Sequence, residues 1–152
     1  MTALAIRSEN EMLQLGRSIG ERLKTGDLLF LFGDLGAGKT TLTKGIAKGL
    51  AIDDPITSPT FQIKKSYQGR LVLNHLDLYR IHDQAELAVI EPEEALDTGV
   101  VIIEWGDLLV NNPFTNYLEI RIKYTEAVNE RMVTFRPCGA RYESLIKGLN
   151  QC

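Results

Sequence analysis

A chain of 152 residues with 44% apolar and 24% charged side chains fits one globular domain over residues 1–152, burying roughly two-thirds of its surface on folding. No apolar run approaches the roughly 20 residues of a membrane span, and Met1-Thr2-Ala3-Leu4-Ala5-Ile6 lacks the features of a signal peptide, so the expectation is a cytoplasmic protein without a membrane partner. The net charge of −3 argues against a uniform grip on nucleic acid, and Cys138 and Cys152 match no metal-ligand spacing and fit a reduced compartment.

Ser8-Glu9-Asn10-Glu11 has capping-box spacing, and Met12, Leu15, Ile19 and Leu23 follow at helical spacing, which predicts a helix over about Glu9 to Lys24 stopped by Gly26. Leu28-Leu29-Phe30-Leu31-Phe32 is apolar without alternation, as in a strand buried on both faces of a central parallel sheet. A glycine-rich turn leads to a helix from about Lys39 with Leu42, Ile46, Ala47 and Leu50 on its apolar face. Phe61, Ile63 and Tyr67 share a parity, Gln68-Gly69 suits a turn, and Leu71 to Leu78 reads as the returning strand of an antiparallel hairpin. Asp83-Gln84-Ala85-Glu86 starts a short helix and Pro92-Glu93-Glu94 opens another that Gly99 ends. Val100–Ile103 is a second buried strand, running into Glu104-Trp105. Leu118, Ile120, Ile122 and Tyr124 alternate and can pair with Arg131 to Phe135, and Tyr142, Leu145, Ile146 and Leu149 form a terminal helix. The fold class is therefore α/β: a P-loop core with a mixed, partly antiparallel sheet and helices on its faces.

Gly33-Asp34-Leu35-Gly36-Ala37-Gly38-Lys39-Thr40 fits the phosphate-binding pattern G-x-x-x-x-G-K-[ST] between a buried strand and an amphipathic helix. Gly33, Gly36 and Gly38 permit unusual backbone angles and close approach of oxygen atoms. The backbone N–H groups of the turn, Ala37 among them, form an anion nest at the positive end of the helix. Lys39 can set its ammonium between the β- and γ-phosphates, Thr40 can offer its hydroxyl to Mg²⁺, and Thr41 can bond an α-phosphate oxygen.

Mg²⁺ takes oxygen ligands, and a P-loop protein usually supplies an acid from the end of a neighbouring strand. Glu104 and Asp77 both stand at such ends, where a solvated acid is the equal alternative. Thr57-Ser58-Pro59-Thr60 suits a switch loop that meets the γ-phosphate or metal, and suits an ordinary turn better on composition alone. His75 can orient Asp77 or be a packed strand histidine, and His82 has no partner at zinc-ligand spacing.

The P-loop through Thr41, then Ser58-Pro59-Thr60-Phe61, His75-Leu76-Asp77-Leu78-Tyr79-Arg80 and Ile103-Glu104-Trp105 occur in an order that resembles the TsaE family, formerly called YjeE, over nearly the whole chain. The resemblance implies an ATPase required for threonylcarbamoyladenosine modification of tRNA beside the anticodon, acting on ATP and Mg²⁺ with TsaD, the threonylcarbamoyl transferase, and TsaB. The tRNA is then met indirectly, through that complex. It implies Thr40, Glu104 and Asp77 at the metal, Lys39, Asp77, Glu104 and Thr60 in the chemistry, and Ser58 and Thr60 in a switch-like segment. Ser8 and Arg131 match positions near the adenine. The chain departs from the family pattern at Val89-Ile90-Glu91-Pro92-Glu93-Glu94-Ala95 and at Gly106-Asp107-Leu108, segments away from the phosphate motif.

Two other functions fit a P-loop of this size: a small-molecule kinase and a nucleotide-gated binding module. A kinase closes a helical lid with arginines over its acceptor, and here a hairpin follows the P-loop helix instead. The Asn-Lys-x-Asp base-reading motif of a GTPase is missing.

Overall fold

The structure, a computed structural model, describes residues 2–34, 36–56, 64–77, 92–104 and 114–150. The expected helix at Asp83, and the positions of Ser58, Thr60, Arg80, His82 and Trp105, lie outside them. The chain runs β1 (Thr2–Ile6), α1 (Glu9–Arg22), β2 (Leu28–Gly33), α2 (Lys39–Gly49), β3 (Lys64–Tyr67), β4 (Val72–Asp77), α3 (Pro92–Thr98), β5 (Gly99–Glu104), β6 (Tyr117–Tyr124), β7 (Arg131–Cys138) and α4 (Ala140–Asn150). One seven-stranded sheet has the order β1-β7-β6-β2-β5-β4-β3. Its centre is parallel, with β2 beside β5 and β6, and β5 beside β4. Both edges are antiparallel, β3 on β4 at one and β1 on β7 on β6 at the other. The mixed sheet agrees with the expectation, and the strand before α1 is an addition to it. β1 is an edge strand of five residues with only Ile6 fully buried, too weak a pattern to stand out.

β2 and β5 are buried on both faces, which is why they read as unbroken apolar runs. Leu29 and Leu31 face the larger core with Leu42, Ile46 and Ile120, while Leu28 and Phe30 face a smaller one with Leu76, Ala95 and Ile103. Burying one such side chain contributes roughly 1.5–3 kcal/mol, so the two-sided strands are the chief apolar anchors of the sheet. Among the described residues no helix is long and apolar enough to cross a membrane.

Helix α1 starts as its capping box predicts, with one change. Ser8 Oγ accepts from Glu11 N–H at 3.0 Å, but the Glu11 carboxylate reaches past Ser8 to the N–H of Arg7 at 2.7 Å. The helix ends at Arg22 rather than Lys24 because Asp27 accepts from Lys24 N–H at 2.7 Å and folds the chain into the turn that carries Gly26 at φ 95°. Asp27 is buried and also accepts two hydrogen bonds from Arg141, at 3.2 and 2.8 Å, which hold that guanidinium more firmly protonated than usual. The neighbouring Tyr142 hydroxyl accepts from Leu28 N–H at 2.9 Å, and burial raises its phenol above the ordinary value. α4 is thereby fastened to the start of β2, at the end of the sheet opposite the P-loop.

Candidate nucleotide site

β2 delivers the chain to the P-loop at Gly33, where a Cβ would stand 2.9 Å from the backbone oxygen of Ile122 on the neighbouring strand. Gly36 and Gly38 have φ of 80° and 119°, a region where a side chain is strained. Their open side borders Tyr124 and Met12: a Cβ on Gly36 would lie 3.1 Å from Tyr124 Oη, and one on Gly38 would lie 3.3 Å from Met12 Cε. The turn is closed by Ala37 N–H donating to Asp34 O at 3.0 Å.

The two helices that meet here begin differently. α1 has a side-chain cap and two acids, Glu9 and Glu11, in its first turn. α2 is capped by Gly38, with no side-chain hydrogen bond and no acid in its first turn. Its positive end is therefore left to an outside anion. Lys39 is buried at that end, and Thr40 and Thr41 follow it half-buried. A cavity of about 440 Å³ opens beside the loop, its wall including Ser8, Gly36, Ala37, Gly38, Thr41 and Arg131. The start of α1 and the start of β7 thus meet the P-loop around one space, although they are far apart in the chain. Gly33, Lys39 and Thr40 stand on the same loop beyond that wall.

Arg131 is held in place by the turn it follows. Its Nη1 donates to Val128 O at 3.1 Å and Glu130 O at 3.0 Å, and its guanidinium lies 4.3 Å over the Tyr124 ring. The same turn brings Asn129 to the cavity wall. Asn129 had no signal in the sequence, because only the pairing of β6 with β7 sets where their turn projects.

The two candidate metal acids are separated by their strands. Glu104 closes β5, the neighbour of β2, in register with Leu31 on one side and Asp77 on the other. Asp77 stands at the same level one strand further out, so its backbone is about 10 Å from that of β2 where Glu104 is about 5 Å away. Glu104 is 5% exposed, and its Oε1 lies 3.1 Å from His75 Nε2. His75, which the sequence left as either a partner of Asp77 or a packed strand histidine, thus contacts Glu104 on the adjacent strand. A threonine hydroxyl and a carboxylate are hard oxygen donors of the kind Mg²⁺ takes, and the side-chain-free glycine turn suits phosphate oxygens.

Comparison with known proteins was decisive for the family. The family model described as Threonylcarbamoyl adenosine biosynthesis protein TsaE matches residues 6–133. The chain belongs to the TsaE family. A Nostoc relative named tRNA threonylcarbamoyladenosine biosynthesis protein TsaE is 38% identical, over 96% of this chain and 92% of that one. The Bacillus subtilis protein of the same name is 44% identical, over 84% of this chain and 80% of its own length. The solved Bacillus subtilis YdiB structure superposes with a TM-score of 0.81 at 36% identity, covering 99% of this chain and 94% of that one. The TsaE family model ends within β7 and so leaves α4 outside its match, while the YdiB superposition takes in nearly the whole chain.

Proposed function

We propose that this protein binds ATP with Mg²⁺ at the P-loop and hydrolyses it in support of threonylcarbamoyladenosine formation on tRNA, working with TsaD and TsaB. The observation that carries the reading is the start of α2, without a side-chain cap or an acid in its first turn, at the mouth of a cavity shared with Ser8 and Arg131. The nest and the helix end hold the polyphosphate, and the cavity beside Ser8 and Arg131 takes the nucleoside. Lys39 places positive charge where the β–γ bridge gains negative charge as the bond breaks. Thr40 and Glu104 would hold Mg²⁺, which when bound would offset further charge on the phosphates. Asp77, one strand further out, would act at the same metal directly or through water, and Thr60 comes from the segment before β3.

Reconstitution tests this reading. TsaD, TsaB, tRNA, ATP and an activated threonylcarbamoyl donor with this chain are expected to give modified tRNA over repeated turnovers, and Lys39→Ala in its place is expected to give a small fraction of that yield. Undiminished modification with Lys39→Ala would reject ATP binding at this loop as the contribution of the chain.

A further inference from the structure

His75 is a fully buried polar residue. Its side chain has no solvent exposure, Nε2 lies 3.1 Å from Glu104 Oε1, and among the described residues Nδ1 is buried without a partner. A carboxylate that holds Mg²⁺ is ionised and only accepts, so with Glu104 in that role Nε2 carries the proton and donates it. A proton on Nδ1 would be a second buried donor with nothing to receive it, which leaves Nδ1 as the bare nitrogen. A phenylalanine or leucine here would fill the space beside Leu73 and Ile102 without an orphaned nitrogen. The imidazole therefore has a role that packing does not supply, and among the described residues the polar group it addresses is the Glu104 carboxylate.

We propose that His75 is a positioning residue: its Nε2–H occupies Oε1 of Glu104, fixes the carboxylate rotamer, and leaves Oε2 as the one oxygen for the nucleotide's Mg²⁺. The inference rests on the reading of Glu104 as a metal ligand. The reason such a residue is needed lies in the strand. Glu104 is the last residue of β5, where the ladder to β2 and β4 stops, and a glutamate side chain has three rotatable bonds. A hydrogen bond from an adjacent strand removes that freedom before the metal arrives, which is how outer partners of metal ligands commonly act.

The test is the Mg²⁺ concentration at which ADP affinity is half enhanced, measured by calorimetric titration of ADP at a series of Mg²⁺ levels. The variants are His75→Phe, which removes the donor, His75→Gln, whose amide nitrogen stands as many bonds from the backbone as Nε2, and His75→Asn, whose nitrogen stands where Nδ1 was. The Phe and Asn changes are expected to raise the Mg²⁺ midpoint about 10–100-fold. Metal-free ADP affinity is expected to hold, and Gln to stay within about threefold of wild type. A Phe variant with a normal thermal transition and a wild-type midpoint overturns the proposal, as does a Gln variant shifted as far as Asn. If the Phe variant does not fold, the Gln and Asn pair decides by the same rule. Glu104→Gln separates the two readings. A shifted midpoint there beside an unshifted His75→Phe rejects His75 alone, and an unshifted midpoint in both rejects Glu104 as the ligand and the inference with it.

Discussion

Lys39 is buried at the head of a helix whose first turn contains no acid. Its ammonium and the helix end both favour an anion, and no carboxylate in that turn competes for the place. Nucleotide at 100 times its dissociation constant stabilises a fold by about 2.7 kcal/mol, which for a domain of this size is a rise of roughly 5–10 °C in Tm. Thermal denaturation with and without ATP–Mg²⁺ is expected to show that rise in wild type and to lose most of it in Lys39→Ala. An equal rise in the variant would place the phosphates elsewhere. Of the residues read as nucleotide-contacting, the P-loop set was legible because its function depends on local spacing. The cavity residues Ser8 and Arg131 came from family resemblance, since no spacing connects them to each other or to Gly36.

Helices α1 and α2 carry the pairs Gly16/Gly20 and Gly45/Gly49, and these four glycines are where the helices touch. A Cβ on Gly16 would stand 2.4 Å from Leu42 O, and one on Gly45 would stand 2.3 Å from Leu13 O. The contact is backbone against backbone, so neither side can give way by rotating a side chain. Gly16→Ala is therefore expected to destabilise the protein by roughly 1–3 kcal/mol, against the ~1 kcal/mol that alanine usually adds in a helix. Gly148→Ala is the control: its Cβ would meet a side chain rather than backbone, Arg22 Nε at 3.1 Å and Cδ at 3.5 Å, and its stability is expected to stay within about 1 kcal/mol of wild type. Urea denaturation of both variants checks the contrast, and equal losses would show that the helix contact is looser than the backbone distances require. The close crossing matters to the site because α1 brings Ser8 and α2 brings Thr41 to the same space. The four-residue spacing of the glycines was in plain view, but which surface each pair met was not.

At the scale of the whole molecule, the described residues supply grip more than rate. Fast phosphoryl transfer needs an oriented water and extra positive charge on the transferring group. Arg131 is engaged by two turn carbonyls and the Tyr124 ring. The isolated chain is expected to hydrolyse ATP slowly, and the TsaB–TsaD pair to accelerate it by about tenfold or more, as an added arginine or an ordered loop does in related systems. Thr60→Ala is expected to blunt that acceleration. Steady-state phosphate release from the chain alone, with the pair, and with the pair and the variant measures both effects. Rapid turnover by the isolated chain that partners leave unchanged would instead describe an independent enzyme.

The sequence by itself determined the parts of this protein whose physics is local. The glycine spacing of the P-loop, the double-sided burial of β2 and β5, the cap of α1 and the acid at the end of β5 each depend on residues within a few positions of one another. Pairing between distant segments decided the rest. The sheet order put Glu104 one strand from the P-loop and Asp77 two, a difference that two strand-end acids cannot reveal in a linear chain. The parallel register of β4 on β5 brought His75 to Glu104, a contact between segments 29 residues apart. The antiparallel return of β7 carried Arg131 and Asn129 to a cavity whose other wall begins at Ser8. Side-chain periodicity tells which face a residue takes, and only the packed sheet tells what that face meets.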